Sequence, residues 1–424
     1  MSETPPLKSV ITCDLEGRIE TFGKDAEAIF GYRADEIIGK QRVSYFSPGL
    51  VVLGHVGGWL KEAREKGEFT TRTVFLRKGG APFAAEIKIT PTMKHGVQIG
   101  YCGVTVPLDV PPETVAPPIS RATRLFKWLV ILRAPFLTAT LVPVIAGIAL
   151  ARPLAPAGTP FALLAALVVL GACALHLSAN LWNDYFDWTS GTDQNNTGYF
   201  MPFSGGSRAV ELGLISVGGL RAAATIALLV AAAVGVALLA MGRTHVVTFG
   251  LIGAFVAYFY TAPPLRLAAR KGLGELVVGL CFGPLMVAGV VYAMTGVPSW
   301  QAAIAGVPLG LLTTAILWIN EIPDIPGDAA SGKNNLVVVL GPRAARVGYL
   351  AVVAAAFVAL IAAVAAGILP PLSLAALLAA PLAVFAGVVL WRHYADRTLI
   401  RANAATIQLH LLFGVLLAVA LFIA

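Results

Sequence analysis

From about residue 133 to its C-terminus the chain is a succession of apolar stretches, each close to the roughly 20 residues that a helix needs to cross a bilayer. Nine can be marked out, near 133–151, 161–183, 217–241, 245–262, 273–295, 300–320, 343–367, 371–391 and 404–423. The fourth is the shortest. Lipid offers no hydrogen-bond partners, so a segment in it must satisfy its own backbone, and a helix does so. The stretches therefore predict an all-α multispanning membrane bundle. Hydrophobic residues make up 57% and charged residues 13% of the sequence, against about 25% charged in a soluble globular protein.

The charges are unevenly shared. Residues 1–119 carry 14 acidic and 14 basic side chains, whereas 120–424 carry 9 acidic and 17 basic ones. The net +8 thus lies in the apolar part. There it reads as a topology signal rather than a nucleic-acid footprint, and no nucleic-acid partner is expected. With the N-terminus inside, the inner loops carry ten Lys or Arg residues, from Arg208 to Arg401, and the outer loops only Arg152 and Arg243. An inner-membrane, multi-pass protein follows, with its N-terminal part and the inner loops in the cytoplasm. The first residues, MSETPPLKSV, lack the apolar core of a signal peptide, which agrees with that orientation. Arg121, Arg124 and Lys127, interleaved with Leu125, Phe126 and Trp128, suggest a helix lying at the membrane interface. Cys13, Cys102, Cys173 and Cys281 form no CxxC pair, so neither a zinc site nor a disulfide framework is indicated.

Residues 1–110 read as a small α+β domain, followed by a Pro-rich linker at 111–119. Alternating stretches at 19–22, 71–76, 83–89 and 100–106 predict strands, and 24–30 and 59–66 predict short amphipathic helices. Lys78-Gly79-Gly80 predicts a turn. The stretch resembles a PAS domain. The resemblance rests on Asp14-Leu15-Glu16-Gly17-Arg18-Ile19, Ala28-Ile29-Phe30-Gly31-Tyr32, Glu36-Ile37-Ile38-Gly39-Lys40 and the Arg77–Gly80 turn ahead of Phe83, Ala85 and Glu86. Such domains bind haem, flavin or metabolites, or simply dimerise. The resemblance thus implies a homodimer contact as one option and leaves the ligand open. His55 is a candidate haem ligand, although a lone histidine is more often structural.

Six of the nine acids after residue 120 fall in two short runs. The first is Asn180-Leu-Trp-Asn183-Asp184-Tyr-Phe-Asp187-Trp-Thr-Ser-Gly191-Thr-Asp193, at the end of the second stretch. The second is Asn320-Glu321-Ile-Pro323-Asp324-Ile-Pro326-Gly-Asp328, ending the sixth and followed by Gly332-Lys333. Acids at a membrane boundary are costly unless they face a cavity or a cation. Asn180, Asn183 and Asp187 share one helix face by spacing. Asn320, Asp324 and Asp328 repeat a four-residue step, although Pro323 and Pro326 argue against a regular helix past Asn320. Either run alone is also what a helix cap or an Arg partner would need. Together they make two sets of hard oxygen ligands on one predicted face, suited to hold a diphosphate through Mg²⁺, which takes one or two carboxylates and fills its remaining positions with water and phosphate. Arg208, Arg266, Lys271, Lys333 and Tyr260 lie in the adjoining loops as candidate phosphate contacts. A positive-inside anchor is the alternative reading of each basic residue.

At these residues residues 120–424 resemble the UbiA prenyltransferase superfamily. The first run matches its N-D-x-x-D motif with a trailing Asp and the second its D-x-x-x-D motif with a following G-K. The run Arg133-Ala-Pro135-Phe and Pro143 and Gly147 of the first span fit as well. The form of the first motif, Tyr260-Thr-Ala-Pro-Pro and Gly272-Leu-Gly274-Glu275 make the chain most similar to the MenA-like branch, the 1,4-dihydroxy-2-naphthoate prenyltransferases of menaquinone synthesis. Pro323 stands where that branch would have Arg, which leaves another aromatic or lipid acceptor open. The resemblance implies an enzyme that moves a polyprenyl group from its diphosphate to an aromatic acceptor. It implies Mg²⁺ held among Asn183, Asp184, Asp187, Asp193, Asn320, Asp324 and Asp328, of which Asp187, Asp193, Asp324 and Asp328 are the catalytic acids. It leaves Glu275 to orient or deprotonate the acceptor. A membrane transporter with a regulatory PAS domain is the non-enzyme alternative. Transporters, however, place such acids near the membrane midplane.

Overall fold

The computed structural model describes residues 7–196, 198–200 and 203–424. The chain divides into two compact units: one comprises residues up to Ile131 together with Arg208–Ser216, the other Leu132–Ser207 with Val217–Ala424.

In the first unit, β1 (Ser9–Asp14), β2 (Ile19–Phe22), β3 (Phe69–Leu76), β4 (Pro82–Lys94) and β5 (Val97–Pro107) form one antiparallel sheet in the order β2-β1-β5-β4-β3. Helices α1 (Lys24–Phe30) and α2 (Gly57–Lys66) interrupt the strands after β2. The four strands and two helices expected from sequence are present, and β1 is an addition. Its inward residues are Ser9, Ile11 and Cys13, and two small side chains of three blur the apolar alternation that marks a strand. The interior is filled by phenylalanine rings. Phe30 lies 4.4 Å from Phe46, 5.6 Å from Phe83 and 5.8 Å from Phe75 between ring centroids, within the range of favourable ring pairs. Helix α3 (Arg121–Ile131) leaves Leu125, Phe126, Trp128 and Leu129 exposed beside its basic residues, the pattern of a helix that lies in a membrane surface.

The second unit is a multi-pass membrane bundle. Eight of its helices are long and apolar enough to cross a membrane: α4 (Ala134–Leu154), α5 (Phe161–Thr189), α6 (Val217–Ala240), α8 (Leu273–Thr295), α9 (Trp300–Glu321), α10 (Leu336–Ala365), α11 (Pro371–His393) and α12 (Arg397–Ile423). The ninth expected span is the shorter apolar helix α7 (Val246–Phe259). Within α10 the backbone leaves helical geometry at Gly341, just ahead of Pro342. Proline cannot continue the preceding hydrogen-bond ladder, which is why the apolar span reads from 343. Neighbouring helices pack through small residues. A Cβ on Gly283 of α8 would lie 2.6 Å from the carbonyl oxygen of Gly306 and the Cα of Gly310 on α9, so the two backbones touch directly, as lipid-embedded helices favour. Buried polar pairs join others: Tyr349 and Thr406 hydroxyls are 2.7 Å apart, and Asn403 Nδ2 donates to Asn320 Oδ1 at 2.7 Å.

Candidate active site

Helix α5 runs on past the sequence-predicted end of its span to Thr189. That extension carries the first acidic run on a helix, where steps of three and four residues bring side chains to one face. His176, Asn180, Asn183 and Asp187 all line one cavity. Gly191, at φ 81°, then turns the chain into a short helix, Thr192–Asn195, which adds Asp193 to the same wall. From the facing side α9 ends at Glu321, as Pro323 and Pro326 require, and a second short helix, Ile325–Ala330, carries Asp328. Asn320, Glu321, Asp324, Asp328 and Lys333 complete the polar end.

The cavity holds about 600 Å³. Away from the acids its wall is apolar, with Leu167, Val168, Leu228, Phe249, Phe282 and Leu285 from four helices. It is a chamber with one acidic end and a long oily remainder.

Hydrogen bonds fix the acids. Asn183 Nδ2 donates to Asp187 Oδ2 at 2.7 Å, which leaves the Asn183 carbonyl oxygen and the second Asp187 oxygen for a ligand. Asp324 accepts from Asn196 Nδ2 at 2.8 Å and from the backbone amide of Gly205 at 3.0 Å. Asp328 Oδ2 accepts from Asn335 Nδ2 at 2.9 Å and lies 3.5 Å from Lys333 Nζ. Asp184 is turned another way: the Ser207 amide reaches its two oxygens at 3.3 and 3.4 Å, and Arg133 Nη1 lies 3.8 Å off. Gly206 makes this possible, because a Cβ there would stand 3.1 Å from Asp184 Oδ1 and 3.5 Å from Asp193 Oδ1.

The loop acids are crowded. Burial pushes the carboxyl of Asp328 up to about 7, with Lys333 opposing and Asp324 and Asp187 adding to the shift. Burial also raises Asp324, against the hydrogen bond from Asn196 and the charge of Lys333. Lys333 itself is buried, which disfavours its charge, yet Asp328 and Asp187 hold its pKa well above the ordinary lysine value. An acidic end of this kind is short of positive charge.

Among the described residues no three His, Cys, Asp or Glu side chains already converge on a metal. The carboxylates instead face one another across the polar end. That arrangement fits Mg²⁺, which binds through one or two carboxylates and takes its other ligands from water and phosphate. The donors are hard oxygens throughout, which suits a hard cation.

Of the residues singled out by sequence, the cavity brings together Asn183, Asp187, Asp193, Asn320, Asp324, Asp328, Lys333 and Tyr260. Asp184, Arg208, Arg266, Lys271 and Glu275 are not among its lining residues. Arg208 pairs with Glu211 at 3.1 Å and belongs to the first unit. Lys271 is exposed, with its backbone amide bonded to Asn334 O. Glu275 Oε1 accepts from the amide of Leu336 at 2.6 Å and so caps the start of α10. His55 Nε2 lies 3.1 Å from Pro118 O, and its ring stacks on Trp59. Sequence reasoning passed over His176 and named Arg133, Asn180 and Glu321 only as members of their motifs, yet all four line the cavity. Glu321 was legible as the one extra acid of the second run. It is buried, and its Oε2, like Asn180 Nδ2, has no partner among the described residues.

The model of the UbiA prenyltransferase family matches residues 140–412. A 1,4-dihydroxy-2-naphthoate octaprenyltransferase from Bacillus subtilis is 28% identical over 294 residues, 68% of this chain and 89% of its own length. One from Mycobacterium tuberculosis is 31% identical over 262 residues, 61% of this chain and 84% of its own. The structure of a UbiA homolog from Archaeoglobus fulgidus bound to DMAPP and Mg²⁺ superposes with a TM-score of 0.50 at 16% identity, covering 69% of this chain and 99% of that one. The shared architecture is that of the membrane bundle.

Proposed function

The chain belongs to the UbiA prenyltransferase family, and from that premise we propose that it transfers a polyprenyl group from its diphosphate to 1,4-dihydroxy-2-naphthoate, a step of menaquinone synthesis. One observation carries the reading: Asp187, Asp324, Asp328 and Lys333 line one end of a cavity whose remaining wall is apolar. A diphosphate headed by a long isoprenoid matches that division. The octaprenyltransferases among its relatives support the naphthoate acceptor.

Asn183, Asp187, Asp193, Asp324 and Asp328 are the residues that would hold Mg²⁺. When bound, the ion neutralises the diphosphate and stabilises it as a leaving group. Asn320 contributes through position, since its Oδ1 already accepts from Asn403. Lys333 donates to a phosphate oxygen directly, with Tyr260 beside it on the wall. The allylic C–O bond breaks with its electron pair leaving on the diphosphate. The apolar wall keeps water from the allylic cation. A ring carbon of the acceptor then forms the new C–C bond, and the ring loses CO₂ in the naphthoate case or H⁺ otherwise. Glu275 serves α10, and Asn180 and Glu321 are the polar groups that the cavity offers to the acceptor.

We place the motif-bearing loops on the cytoplasmic side of the cell membrane, on the ten-to-two bias of Lys and Arg between loops. Residues 1–110 form a PAS-like domain, 111–119 a linker and 120–424 the transferase domain. Membranes containing the chain, given Mg²⁺, a polyprenyl diphosphate and a panel of aromatic acids, should form a prenylated product from the naphthoate whose mass shows loss of CO₂. Failure to prenylate any member of the panel would overturn the reading.

A further inference from the structure

Asn320 stands on the cavity wall at the end of α9, four residues ahead of Asp324. Its Oδ1 is turned elsewhere. That atom accepts from Asn403 Nδ2 at 2.7 Å, and Asn403, on α12, is fully buried and outside the lining of the cavity. A carboxamide is planar, with its acceptor oxygen on one branch and its two N–H donors on the other. With the oxygen committed to α12, Nδ2 is the branch left for the cavity, and it has no hydrogen-bond partner among the described residues.

A proline sets this orientation. The Ile319 carbonyl would ordinarily accept from the amide four residues on, but Pro323 has no N–H. Asn403 Nδ2 takes that place and donates to Ile319 O at 3.1 Å. A carbonyl can only accept, so the nitrogen of Asn403 must face it, and the second N–H of the same group then reaches Asn320 Oδ1. Turning over either side chain would set oxygen against oxygen or nitrogen against nitrogen. Such a network is what assigns an amide orientation. Helix α12 is itself pinned. Asn403, Thr406 and His410 are fully buried and share one face by spacing. Thr406 meets the Tyr349 hydroxyl at 2.7 Å, and His410 Nε2 lies 3.2 Å from Thr313 Oγ1. All of these residues belong to the second unit.

The polar end already holds Asp187, Asp193, Glu321, Asp324 and Asp328. An amide oxygen there would add one more acceptor, whereas an N–H adds a donor that a phosphate oxygen can use. We propose that Asn320 donates through Nδ2 to an oxygen of the prenyl diphosphate, and that Asn403, as a positioning residue, keeps the donor toward the substrate. Asn320 is then a substrate contact and not the metal ligand that its spacing suggests. Its hydrogen bond strengthens as charge collects on the departing diphosphate. The assignment rests on the diphosphate reading of the cavity.

The test uses the full chain in detergent micelles. It measures Kd for farnesyl thiodiphosphate, whose C–S bond resists ionisation, at several Mg²⁺ concentrations. KM for the polyprenyl diphosphate and for the acceptor is measured in membranes. Asn320→Asp keeps the shape and replaces the donor by an oxygen, and Asn320→Ala removes the group without adding charge. Each should weaken analogue binding about tenfold or more, the scale of one hydrogen bond to a charged group, with the acceptor KM unchanged. Asn403→Leu frees the Asn320 amide to turn. It should weaken analogue binding about threefold in the parent and not at all when Asn320 is already alanine, since coupled residues are not additive. Asn320→Ala carries the test if Asn320→Asp fails to accumulate. Parent-like binding in the Asn320 variants overturns the assignment alone. So does a lower Mg²⁺ requirement in Asn320→Asp, which makes position 320 an oxygen ligand, or a rise in the acceptor KM in place of the diphosphate KM. An equal effect of Asn403→Leu in both backgrounds overturns the positioning role. A parent that neither binds the analogue nor transfers a prenyl group overturns the transferase reading, and the assignment with it.

Discussion

The backbone amide of Gly205 donates to the carboxylate of Asp324 across 3.0 Å, joining positions 119 residues apart. The loop that follows the first acidic run thereby orients an acid of the second. Asn196 grips the other oxygen of the same carboxylate at 2.8 Å, so the two runs form one site rather than two parallel ones.

That cross-link makes the acids interdependent. Asp324→Ala and Asp187→Ala should each lower kcat by at least about 100-fold, the usual scale for losing an electrostatic stabiliser of a developing charge. Expression in membranes should stay near that of the parent. Activity within a few-fold of the parent in either variant would remove these acids from the mechanism.

Gly206 faces two acids and has φ 74°. Gly206→Val needs a strained backbone costing about 1–3 kcal/mol, and its side chain would press on Asp184. The expected outcome is a steep loss of kcat/KM with the chain still inserted in the membrane. Full activity in the variant would show that the loop has room to move aside.

Glu275 offers a clean separation of two roles. Its carboxylate caps the start of α10 through Leu336, and glutamine can accept the same hydrogen bond. Glu275→Gln should therefore keep near-parental turnover, whereas Glu275→Ala should lower stability by about 1–2 kcal/mol, the cost of a lost helix cap. A large fall in turnover with glutamine, at unchanged thermal stability, would instead restore Glu275 to the acceptor.

The dependence on Mg²⁺ should vary with pH. Burial raises the Asp328 carboxyl to about 7, against the opposing charge of Lys333, so below that value the acid is largely protonated. A cation must displace this proton to bind. Apparent affinity for Mg²⁺ should accordingly climb as pH rises from about 6 to about 8 and then level off. Titration of activity against Mg²⁺ at several pH values tests this. A flat response across that range would exclude Asp328 as a ligand.

The bundle was legible from the sequence because the bilayer imposes a length on every apolar helix, and few other folds need so many such stretches in a row. The acidic runs were legible because charges at a membrane boundary are expensive and therefore few. Asp187, Asp324 and Asp328 stand out for that reason. The first strand was not legible, since Ser9 and Cys13 give it little apolar contrast. What the sequence determined by itself, then, is which segments enter the lipid and which acids must be compensated. Only the tertiary structure decided where each of those side chains points. Asp184 neighbours its partners in the motif yet turns to Ser207, Glu275 turns to Leu336, and Arg208 pairs with Glu211. Such choices depend on which distant backbone amide or charge comes within about 3 Å, and spacing along the chain does not carry that information.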